Sequence, residues 1–146
     1  RGNDMSKDGV KIFENSQWIV WDWGVEEIVE HSGSGYWMEK GNLKAEPQMY
    51  FDHVMVKSWV DPDLWLEAME KAFEAWGVRD IHVDAMRKSV PLHKERKELS
   101  RETSRRIGDG GAGLFEYEDM SNKVLEEMPE KFPIHTQLNS LKGGNE

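Results

Sequence analysis

The sequence predicts an α+β fold. It calls for a mostly antiparallel sheet of about five or six strands, open to a mixed arrangement, with one main amphipathic helix packed on it. A charged helical arm and a short C-terminal helix complete the expected architecture. Three observations lead there: short β-rich runs separated by turn formers, a capped amphipathic stretch between Asp61 and Gly77, and a charged stretch from Ala85 to Arg106 that precedes a glycine cluster.

Val10-Lys11-Ile12-Phe13 and Gln17-Trp18-Ile19-Val20-Trp21-Asp22-Trp23 flank Asn15-Ser16, which reads as a hairpin. Alternation places Ile19, Trp21 and Trp23 on one face of the second strand and Trp18 and Val20 on the other, so this strand is expected inside the sheet. Val25 to Glu30 and Tyr36 to Lys40 flank His31-Ser32-Gly33-Ser34-Gly35 and extend the meander. Gln48 to Val60, rich in β-branched and aromatic residues, reads as a long strand.

Asp61-Pro62 supplies an N-cap and a first-turn proline, and Gly77 a left-handed stop. Glu67, Glu70, Lys71 and Glu74 share one polar arc between them, so the rest of this helix must be packed. Val78 to Val83 reads as a strand, making Gln48–Val83 a candidate right-handed parallel crossover. Pro91 then fits the first turn of a helix running to Arg106, whose only apolar strip is Leu92, Leu99 and Thr103. Gly108, Gly110 and Gly113 match a dinucleotide-binding glycine spacing, but no buried strand precedes them, so a flexible hinge is the better reading. Tyr117, Met120, Val124, Leu125 and Met128 recur at helical spacing.

The resulting organisation is a disordered or artificial lead at 1–8, an α+β core at 9–84, a basic helical arm at 85–107, a glycine hinge at 108–113, a helical segment at 114–132 and a flexible tail at 133–146.

Charge gives the strongest asymmetry. The net charge is -9, yet Ala85–Arg106 holds eight Lys and Arg against three Glu, a balance of +5 that leaves -14 elsewhere. The acidic whole argues against general attraction to nucleic acid or anionic lipid. No run approaches the roughly 20 apolar residues of a membrane-spanning helix. The absence of cysteine excludes disulfides and thiol chemistry and suits a reducing, cytoplasmic setting.

Two groups could carry chemistry. On the expected strand after the helix, Asp80, His82 and Asp84 would project from one face at about 6.6 Å intervals, as metal ligands or an oriented base. On the strand Gln48–Val60, His53 and Lys57 would point the same way and could join them in an acid–base or phosphate-handling site. The bland alternatives are a solvated strand face and a hydrogen-bonded core histidine. Trp18, Trp21, Trp23, Tyr36 and Trp37 could stack on bases or sugars, though core packing is the default for them. The basic arm offers Arg87, Lys88, Lys94, Lys97, Arg101, Arg105 and Arg106 to an acidic partner surface.

The leading expectation is therefore a non-catalytic binding or assembly module, without a cofactor, whose basic arm engages an acidic protein surface, its own included. A nucleic-acid binder using the same arm and a small metal-assisted hydrolase or nuclease are the alternatives.

Overall fold

The computed structural model describes residues 9–28, 35–111 and 113–143. The chain divides into two compact units, Arg1–Val90 and Pro91–Glu146. The expected lead at 1–8 and most of the loop His31–Gly35 lie outside the described residues.

In the first unit β1 (Lys11–Glu14), β2 (Trp18–Trp21), β3 (Gly24–Glu27) and β4 (Trp37–Glu39) form an antiparallel meander in sequence order. Asn15 fixes the first turn: its Oδ1 accepts the N–H groups of Gln17 and Trp18 at 3.0 and 2.9 Å. Three helices follow, α1 (Lys40–Ala45), α2 (Pro47–Met55) and α3 (Pro62–Ala75), and then the opening turns of α4 (Asp80–Ile107). They pack on the sheet face bearing Trp18, Val20, Val25 and Met38, and that layer is the core.

Helix α3 follows its sequence signals. The Asp61 side chain accepts the Asp63 and Leu64 N–H groups, and Gly77 closes the helix at φ +71°. Trp65, Ala68, Met69, Ala72 and Phe73 are fully buried. The Trp65 ring lies 4.4 Å from that of Trp18 and stacks on Phe51 at 6.1 Å, while its Nε1 donates to the Phe51 carbonyl. Gln17 secures the approach to α3, donating to the Trp59 carbonyl and accepting the Asp61 N–H.

The second unit is helical: the remainder of α4, α5 (Leu114–Glu127) and α6 (Pro133–Gly143). Its core is small, with Leu99, Val124, Leu125 and Phe132 buried and Met128 packed against them. Polar ties supplement it. Thr103 is buried and shares a hydrogen bond with Ser121, and Arg106 bridges Glu102 and Glu127.

Several expectations are corrected. The described sheet has four strands, all antiparallel, so the fold is α+β without the five or six strands or the mixed arrangement. Gln48–Val60 is mostly helix α2: Phe51, Val54 and Met55 bury one helical stripe and Pro47 occupies the first turn, so burial at the 3.6-residue period prevails over β propensity. Val78–Val83 leads into α4 rather than forming a strand, because Val83, Met86 and Val90 reach the core at helical spacing. No parallel crossover follows. Pro91 lies inside α4, where it leaves the Arg87 carbonyl without its intrahelical N–H donor. Residues 133–143, read as tail, form α6.

Candidate functional site

The register of the meander builds a second, outward face. Glu14 lies opposite Ile19, Ile19 opposite Glu26, and Glu26 opposite Trp37. Since successive side chains of a strand point to opposite sides, this row is turned away from the layer of Trp18, Val20 and Val25. Trp21 shares the outward face and donates its Nε1 to Glu26 Oε1 at 2.7 Å. Trp23 lies in the turn between β2 and β3, its ring near-parallel to Trp21 with centroids 6.4 Å apart. Trp37 meets Trp23 edge-on, at 5.9 Å and 81°. The three indoles therefore form one contiguous cluster, tied to the Glu26 carboxylate through Trp21.

Their burial is uneven. Glu26 is 6% exposed, Trp21 and Trp23 are half-buried, and Trp37 keeps 38% of its surface open. Gly24 lets β4 come close to β3, because a Cβ there would collide with the Met38 carbonyl oxygen. Lys11, opposite Trp21, is bonded to Glu14 at 2.7 Å, whereas Glu39, opposite Gly24, adds a further carboxylate to the outward face.

The residues singled out in the sequence are distributed differently from the expectation. Asp80, His82 and Asp84 lie in one turn of α4, where residues two apart point to opposite sides, so they share no single face. Among the described residues no group of three or more His, Asp and Glu is placed to hold a metal ion. His53 is exposed near the end of α2, and the Lys57 ammonium sits 4.3 Å above the Tyr36 ring. These two belong to α2 and the turn after it, not to a strand shared with a carboxylate face.

The basic residues are largely engaged within the chain. Arg87 bonds Glu70 at 2.7 Å and Asp84 at 2.5 Å. Arg101 bonds Glu98, while Arg105 and Arg106 both bond Glu102. Hydrogen bonds from Arg105 and then Arg106 hold the Glu102 carboxyl down at about 2. Lys97 is buried, Lys94 makes further interactions, and Lys88 is exposed.

Glu95, within the same arm, takes a role its composition did not suggest. Its carboxylate accepts the N–H groups of Ile134 and His135 at 3.0 and 2.9 Å and contacts His135 Nδ1 at 2.9 Å, capping the start of α6. Burial pushes this carboxyl up, but the bonds from His135 and Ile134 outweigh it and leave it below its ordinary value.

Sequence reasoning thus missed the grouping of Trp21, Trp23, Glu26 and Trp37. The available signal was the alternation that sends Trp21 away from Trp18, together with a carboxylate on the same face of the neighbouring strand. No family model, curated protein or solved structure matches this chain. No helix among the described residues is long and apolar enough to cross a membrane.

Proposed function

We propose that this chain is a non-catalytic binding module whose binding surface is the outward face of the meander. The observation that carries the reading is the cluster of Trp21, Trp23 and Trp37, tied to Glu26 through Trp21, with Trp37 still open to solvent. An indole offers a large rigid surface at low entropic cost, which suits recognition. The dispersal of His53, Lys57, Asp80, His82 and Asp84 supports binding over catalysis. The intrachain pairing of Arg87, Arg101, Arg105 and Arg106 reduces the charge that the basic arm offers outward, which favours the sheet face over the arm as the binding surface.

The test is a titration followed through the indole N–H resonances of the seven tryptophans and the backbone amides of residues 94–106. Basic peptides, neutral oligosaccharides, poly-glutamate and poly-uridylate serve as separate probes. Saturable shifts at Trp21, Trp23 and Trp37 with one of these probes are expected. Shifts confined to residues 94–106 with poly-glutamate or poly-uridylate would assign binding to the basic arm and remove the proposal.

A further inference from the structure

Resting on that reading, we infer that the outward face takes a methylated or quaternary ammonium group, held against the open indole surface at Trp37 and beside Glu26. Trp23 and Trp37 meet edge-on at nearly a right angle, so their faces turn in two perpendicular directions, Trp21 runs parallel to Trp23, and Trp37 keeps 38% of its surface open. A cation within about 6 Å of an indole centroid is attracted by the ring quadrupole, and tryptophan is the strongest of the aromatic side chains in this respect. Methyl groups favour such a surface further, because they spread the charge over an apolar shell that sheds water easily and packs against the ring.

Charge complementarity selects a cation over a neutral ligand. Glu26 and Glu39 lie on this face, and Lys11, on the same side, is bonded to Glu14. Glu26 is bonded to the Trp21 ring and is only 6% exposed, so its field reaches a ligand through less water than a surface carboxylate's would. The bond from Trp21 Nε1 fixes both the carboxylate and the orientation of that ring. A neutral sugar would gain no net charge attraction from this field, and a phosphate or nucleic acid would be repelled by it.

The experiment titrates the whole chain with N-acetyl-trimethyllysine amide, following tryptophan emission and the indole N–H resonances. The unmethylated lysine amide and the uncharged tert-butyl isostere of the trimethylammonium group run in parallel. Saturable shifts at Trp21, Trp23 and Trp37 are expected, with the uncharged isostere at least about ten-fold weaker. Glu26→Gln retains an acceptor for Trp21 and should weaken the trimethylated ligand by about ten-fold. Trp37→Ala, at an exposed position, should abolish the shifts while leaving the fold intact, as shown by unchanged Trp18 and Trp65 resonances. Equal affinity for the isostere, or no shift with any ammonium, overturns the inference. If a neutral oligosaccharide then shifts the same three indoles, the face remains a binding surface and only its ligand class is wrong; if no probe does, both readings fail.

Discussion

The two units are built from different materials. The first buries large apolar side chains, and all seven tryptophans of the chain fall before Val90. Among the described residues the second buries Leu99, Val124, Leu125 and Phe132 as its apolar core and relies on Thr103–Ser121, Arg106–Glu127 and the Glu95 cap. The contrast teaches where each unit is vulnerable: the first to loss of volume, the second to loss of charge or of a polar partner. It also supplies a separate reporter, since tryptophan emission follows the first unit alone.

The largest effect is expected from Trp65→Ala. Its ring touches both Trp18 and Phe51 and has no exposed surface, so truncation should cost about 3–5 kcal/mol. Denaturant unfolding followed by tryptophan emission measures this, and a loss below about 1 kcal/mol would show that the site repacks without a cavity.

Acid should separate the units. The Glu95, Glu98 and Glu102 carboxyls are all held below their ordinary values. A depressed carboxyl contributes stability above its unfolded value, and that contribution disappears as the pH falls through the folded one. For Glu102 the window runs from 4.5 down to about 2. The Val124 and Leu125 methyl resonances should therefore lose their native dispersion in acid before tryptophan emission changes. Glu95→Gln should weaken the second unit by about 1 kcal/mol at neutral pH, the scale of a helix cap. Simultaneous acid transitions in both reporters would erase the distinction.

The smallest effect sharpens the same comparison. Arg101 is 65% exposed in its pair with Glu98, so Arg101→Ala should change stability by no more than about 0.5 kcal/mol. Urea unfolding of the two proteins, followed by those methyl resonances, checks this. A larger loss would mean that exposed charge, and not only the buried polar ties, supports the second unit.

Legibility in the sequence follows the same division. The hairpin around Asn15 and the helix between Asp61 and Gly77 were readable because turn and cap residues act locally. Gln48–Val60 was misread because Tyr50, Phe51, Val54 and Val56 carry strand propensity, while the deciding fact is burial of Phe51, Val54 and Met55 against distant residues. The stretch from 91 to 106 lies within the long helix Asp80–Ile107, and charge counting could not show that its arginines find carboxylates in the same chain. Nor could it show that Glu95 lies beside residues some forty positions later. Of the candidate binding face, the tryptophans were noticed individually. Their grouping around Glu26 depends on strand register, which composition does not encode.

Gly24 has a consequence for mutational tolerance. It carries no functional group, yet the Met38 carbonyl leaves no room for even a methyl at that position. In a saturation library selected for ligand capture, position 24 should therefore tolerate as little change as Trp37. Its intolerance would reflect the approach of two strands rather than contact with a ligand, so a map of sensitive positions alone would credit a spacer with recognition.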